Sequence, residues 1–325
     1  MTDELERASV GQLGAKLGSG GQAVVYLAPE LRLPDVTGEL VYKEYKGDQV
    51  TPNGLRAIVG VRSRLDARER ARLDSMAAWP VRVVREHGRI CGVVMPLIAD
   101  SFFQDRTLPT GRRSRDPREV QNLFVDPELA GRLGMPQLSM SQRFAVCRDL
   151  AAVLALLHGN EVVFGDVNAK NALFRERPEP MVMLVDCDAV RIRGSAAVVR
   201  QLNAPDWNPP EGSVLTQVTD LYKLGLFVVR VLNPGQQASV ARDPRRVFDR
   251  LDPEGRALVV AAVGDVGSVR PSAATWRAYF ARRVGRPEGA RVVSAVVPPV
   301  RRDKAPVTTA GWRRDPATGR WVPAQ

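Results

Sequence analysis

Cysteine is scarce in this 325-residue chain, which has only Cys91, Cys147 and Cys187. An odd count without metal-ligand spacing excludes a disulfide framework and a thiolate metal site, and makes a reducing cytosol the expected compartment. Long apolar runs are missing too. The best candidate, Leu221 to Leu232, is interrupted by Lys223, Gly225 and Arg230, so no membrane span is expected. The opening Met-Thr-Asp-Glu-Leu-Glu-Arg is polar and acidic, unlike a secretory signal. Positive charge is in excess, 47 Lys and Arg against 36 Asp and Glu, or +11. It is spread over many arginines and does not select nucleic acid as a partner. Hydrophobic residues make up 44%, enough for a sizeable core, and 325 residues are compatible with a two-lobed unit plus a tail. The richness in Arg, Ala, Val and Gly resembles high-GC bacterial usage.

The most informative stretch runs from His158 to Ala189. Two apolar runs, Val162 to Phe164 and Met181 to Val185, each lead to an aspartate, Asp166 and Asp186. Such runs between turn-type residues read as buried strands, and a short connection predicts that they pair as a hairpin. That arrangement delivers Asp166, Asn171 and Asp186 to one edge. Two carboxylates and an amide suit magnesium, a small cation that takes oxygen ligands and shares them with substrate phosphates.

Upstream, Gly18-Ser19-Gly20-Gly21 precedes the apolar run Ala23-Val24-Val25-Tyr26. Glycines let backbone amides approach phosphates closely. A dinucleotide fold would need a helix after the turn; a strand follows instead, which predicts strand, glycine turn, strand. Glu39 to Lys43 reads as the next strand, Leu55 to Ala78 as a long helix, and Val81–Val84 and Ile90–Met95 as two more strands. Asp100 to Gln137, proline-containing and basic, reads as a loop-like insertion that either stays solvated or docks a partner. Ser139 is placed to cap a helix whose apolar residues Phe144, Val146, Leu150, Val153, Leu154 and Leu157 recur at helical spacing.

Taken in order, these motifs resemble the eukaryotic-type (Hanks-type) protein kinase superfamily, over roughly residues 10 to 283. Asp166 with Asn171 resembles its catalytic loop, and Asp186-Cys187-Asp188 its Asp-Phe-Gly metal motif. Asn208-Pro209-Pro210-Glu211, Thr219-Asp220-Leu221-Tyr222 and Arg270-Pro271 resemble its later signatures. The Asp-Cys-Asp variant and the proline after Met95 are closest to a bacterial serine/threonine kinase branch often found beside phosphatases or von Willebrand-type modules. The resemblance implies an α+β bilobal fold: a small antiparallel-sheet N-lobe (10–98), a mainly helical C-lobe (99–283) and a tail (284–325). The tail reads as a linker ending either in a hairpin around Trp312 and Trp321 that docks on the core or a partner, or in a disordered segment.

The implied cofactors are ATP and Mg2+, and the implied partner is a protein substrate. Gly18, Ser19, Gly20, Gly21, Ala23 and Val25 would cover the phosphates. Lys43 would pair with them, steadied by Glu69. Met95 would back the adenine, and the Leu97 amide would donate to it. Asp166 would accept the substrate's hydroxyl proton, Lys170 would balance charge on the transferred phosphoryl, and Asn171 and Asp186 would face the metal, with Asp188 either adding a carboxylate there or serving as a turn residue. Glu211 would pair with Arg270, and Asp220 would hold the catalytic loop's amides.

The arginine usual before the catalytic aspartate is absent, replaced by Gly165, and between Asp186 and Glu211 only Ser195 offers an acceptor hydroxyl. Activity independent of activation-loop phosphorylation is therefore expected. Two alternatives stay open: an ATP-binding pseudokinase scaffold, and a kinase-fold phosphotransferase acting on a small molecule.

Overall fold

The computed structural model describes residues 3–47, 51–107, 111, 113–193, 204–284, 308–309, 312–314 and 321–323. It is an α+β protein with a mixed six-stranded sheet and, among the described residues, seven α-helices. The sheet collects β1 (Glu4–Glu6), β2 (Lys16–Ser19), β3 (Ala23–Ala28), β4 (Leu40–Tyr45), β5 (Arg82–Glu86) and β6 (Arg89–Pro96) in the order β1-β5-β6-β4-β3-β2. Only the β1–β5 pair is parallel. An entirely antiparallel sheet was the expectation; the short N-terminal strand Glu4–Glu6 adds the parallel edge.

Alternation along these strands sorts side chains to two faces. Leu40, Tyr42, Val84 and Val94 join Val10 and Leu31 in an outer cluster. Val41, Val83, Val93 and Met95 point the other way, into a core continuous with the helices. The predicted helix over Leu55 to Ala78 is two helices, α1 (Pro52–Arg64) and α2 (Ala67–Met76). Leu65 leaves helical geometry and Asp66 caps α2 by accepting from the Glu69 amide. A local side-chain acceptor thus ends one helix and starts another.

The insertion is more ordered than expected. It forms a hairpin, β7 (Phe103–Thr107) with β8 (Arg113–Pro117), then helix α3 (Pro127–Arg132). Phe102, Val120, Leu123 and Phe124 are buried and anchor the segment. α4 (Met140–Gly159) starts at Ser139 with a full capping box, and all six apolar residues expected along it are buried. Cys147 is buried and free, as a small hydrophobe.

The two apolar runs of the central stretch do not pair with each other. β9 (Val162–Val163) pairs with β12 (Arg191–Ile192), while β10 (Ala172–Arg175) pairs with β11 (Met181–Leu184). Each run pairs instead with a segment that sequence had left as loop: β11 with the β10 strand just before it, and β9 with β12, farther along the chain. The helical part continues with α5 (Gln217–Leu232), α6 (Pro253–Ala262) and α7 (Ala273–Arg283). α4 packs on α7, where Trp276 stacks on Phe280 with ring centroids 5.3 Å apart. In the tail, β13 (Thr308–Thr309), β14 (Trp312–Arg314) and β15 (Trp321–Pro323) pair in order, while the expected turn over 315–319 lies outside the described residues. Ser195 lies outside the described residues. Among the described residues, no helix is long and apolar enough to cross a membrane.

Candidate functional site

Strand parity puts Lys43 and Tyr45 on the face of β4 that carries Val41, toward the helices. There the Lys43 ammonium meets Asp188 Oδ1 at 2.7 Å and Asp186 Oδ1 at 3.4 Å. Tyr45 donates its hydroxyl to Asp188 Oδ2 at 2.6 Å. Burial pulls the lysine's pKa down, but the two aspartates outweigh it and hold the pKa above its ordinary value. Burial, then the charge of Asp188, pushes the Tyr45 phenol well above the usual range, so both stay protonated.

Glu69 is not the partner of Lys43. It is exposed in the first turn of α2, whose other acid, Asp74, pairs with Arg62. α1 carries no acid at all. In place of the helix-borne carboxylate that the resemblance implies, Asp188 meets the lysine, with Oδ1 accepting from Lys43 and Oδ2 from Tyr45.

The loop from Asp166 to Asn171 is knit by its own side chains. Asn168 donates to Asp166 Oδ1 at 2.9 Å, and Asn171 donates to Asp166 Oδ2 at 2.8 Å. Asn168 Oδ1 in turn accepts from the amides of Lys170 and Asn171. The Val185 amide donates to the Asn171 carbonyl at 3.0 Å, which sets Asn171 beside Asp186. Lys43, Asp186, Asn171 and Asp166 thus form one chain of neighbours. Lys170 is exposed, and burial raises the pKa of the nearby Glu119 carboxyl with the lysine's charge offsetting only part of it. Among the described residues no three His, Cys, Asp or Glu cluster for a metal. Oxygens placed for a cation are the side-chain oxygen of Asn171 and the carboxylate of Asp186, 65% exposed with Oδ1 3.4 Å from the Lys43 ammonium.

Beneath this loop, Asp220 is fully buried and accepts from the Phe164 and Gly165 amides, both at 2.8 Å. Its Oδ2 also meets His158 Nε2 at 3.2 Å. α5 is capped by Thr216, so Asp220 is a loop anchor rather than the N-cap. Lys223, one turn on and equally buried, donates to the Gly165 carbonyl. Arg270 donates to Glu211 from Nε at 3.0 Å, and its guanidinium lies over the Tyr222 ring, 4.9 Å from the centroid.

Gly18, Ser19, Gly20 and Gly21 are exposed where β2 turns into β3. None of the three glycines has a positive φ, and a Cβ on any of them would meet nothing within 4 Å. Neither backbone strain nor internal packing requires glycine there, which leaves open space for a ligand. Lys46 ties this tip down, donating to the Gly20 carbonyl at 2.6 Å. Ala23 is buried and Val25 stands opposite Lys43 in the register. Met95 is buried in the core beyond, but the Leu97 amide donates to the Glu39 carbonyl at 2.8 Å. That amide is therefore committed to the sheet and is not the adenine donor expected of it.

Tyr45, Lys46, Asn168 as a carboxylate holder, and Lys223 were not singled out from sequence for these roles. Tyr45 had a signal, two positions from Lys43 in a strand; Lys223 had another, as a cation inside an apolar helix. No family model matches the chain, and no curated protein matches it.

Proposed function

We propose that the chain is a phosphotransferase of the protein-kinase type, passing the γ-phosphoryl of ATP to Ser or Thr of a protein substrate with magnesium. The observation that carries this reading is a set of contacts across three separate stretches: Lys43 with Asp186, Val185 beside Asp186 with Asn171, and Asn171 with Asp166. A bilobal arrangement is supported by the antiparallel run β2 to β6 over residues 16–96, followed by the helices α4 to α7.

Asp166 is held by two amides that fix its carboxylate without neutralising it, as a proton acceptor for an incoming hydroxyl requires. Lys43 would hold the α/β phosphates, and the exposed Lys170 would balance charge developing on the transferred group. The open glycine turn would cover the phosphates with backbone amides. Asn171 spends its amide nitrogen on Asp166, leaving its oxygen, with the Asp186 carboxylate, for a hard cation; this donor set fits magnesium. When bound, magnesium supplies positive charge between the phosphates. Anchoring from beneath by Asp220 and Lys223, rather than by an arginine beside Asp166, supports activity without activation-loop phosphorylation.

The test is incubation with labelled ATP and magnesium, with phosphorylation of the protein itself and of casein as readouts. Wild type is expected to transfer label, and Asp166→Ala and Lys43→Ala each to lose at least about a hundredfold in rate. Intact nucleotide binding with no transfer by wild type would favour the scaffold alternative.

A further inference from the structure

The two aspartates of Asp186-Cys187-Asp188 occupy opposite environments. Asp186 sits in left-handed backbone (φ 56°, ψ 36°) with its side chain 65% exposed. Cys187 turns down into the core, fully buried, with its thiol toward the Leu184 carbonyl. Asp188 turns up toward the sheet, its side chain 6% exposed and each oxygen satisfied by one donor, Lys43 or Tyr45. A buried carboxylate held by an ammonium and a phenol has a fixed direction, because moving either oxygen leaves a desolvated charge unpaired.

We propose that Asp188, oriented by Tyr45, is the positioning residue for Lys43, and that Asp186 is thereby left to the cation. This rests on the kinase-type reading of the site and deepens it. A carboxylate on a helix can swing away with that helix and release its lysine. Here α1 has no acid, Asp74 of α2 is engaged by Arg62, and Glu69 faces solvent. The lysine is instead held by the same turn that presents Asp186. Lysine and metal geometry are set together, and displacement of α2 does not switch the site off.

The experiment compares Asp188→Asn, Tyr45→Phe and Glu69→Gln, alone and in a Lys43→Met background, with melting temperatures alongside. Glu69→Gln is expected to stay within about twofold of wild type in transfer rate and nucleotide affinity. Asp188→Asn is expected to lose about tenfold or more in kcat, and Tyr45→Phe about threefold, with the acceptor's KM unchanged. Neither is expected to cost anything further once Lys43 is Met, which is the signature of acting through that lysine and not through folding. Should Asp188→Asn not fold, Tyr45→Phe, which removes one hydroxyl, decides the point by the same criterion. A Glu69→Gln loss as large as that of Lys43→Met would overturn the proposal. So would losses in Tyr45→Phe and Asp188→Asn that persist undiminished without Lys43. If wild type transfers no label, the same cycle is read in the Kd of a fluorescent ATP analogue with magnesium. Coupling of Lys43 to Asp188 there supports the anchor while the transferase reading falls; strict additivity overturns the anchor.

Discussion

Arg62 and Arg82 converge on Asp35, at 2.7 and 2.5 Å, and Arg62 also reaches Asp74 at 2.7 Å. Burial alone would raise the Asp35 pKa; hydrogen bonds and charge from Arg82 and Arg62 prevail and lower it from 3.8 to about 2. A pKa lower in the folded state gives stability that is full above the unfolded value and is lost as pH falls through the folded one. Asp35 should contribute about 2 kcal/mol at neutral pH, fading between about pH 4 and 2. Acid unfolding of Asp35→Asn should lose that part of its pH dependence, and the variant should be about 3 kcal/mol less stable at pH 7, since two buried cations lose their counter-charge and one of its two oxygens becomes a donor. At this scale the site was largely legible. Asp166, Asn171 and Asp186 drew notice because they follow short apolar runs, whereas Lys43 and Asp220 were singled out only through the order of motifs in the resemblance. Glu69 was misassigned because an acid on a helix has a direction that spacing alone does not reveal. Asp188 was undervalued because its partner, Tyr45, lies 143 residues away.

Among the elements, α4 is the spine of the helical part, packing on α7, α5 and α2. Its capping box satisfies two end groups, the Gln142 amide through Ser139 Oγ and the Ser139 amide through Gln142 Oε1. Ser139→Ala should cost about 1 kcal/mol and lower Tm by about 2–4 °C, measured by calorimetry, with the site's nucleotide affinity unchanged. This helix was read correctly because capping and periodicity are local signals. Strand pairing is not local. Val162–Val163 and Met181–Leu184 were recognised as strands but given the wrong partners, because Arg191–Ile192 and Ala172–Arg175 are short and ordinary in composition. In the insertion, prolines and arginines masked the four apolar residues, Phe102, Val120, Leu123 and Phe124, that fold it onto the rest.

For the whole molecule, sheet and helices share one core, from Val41 on β4 to Phe280 on α7. That continuity brings Lys43 of the sheet to Asp186 and Asp188 below it, which no single segment could do. The order of motifs along the chain made this meeting foreseeable; the identity of the carboxylate holding the lysine, and the sheet's use of the Leu97 amide, emerged only from packing. The central claim is that these residues move the terminal phosphoryl of a nucleotide. Its most direct measurement is label transfer to protein from ATP labelled in the γ position, run beside ATP labelled in the α position. The account predicts magnesium-dependent label on Ser or Thr from the γ-labelled nucleotide only, abolished by Asp166→Ala. Label from the α position, or γ-label undiminished in Asp166→Ala, would contradict it.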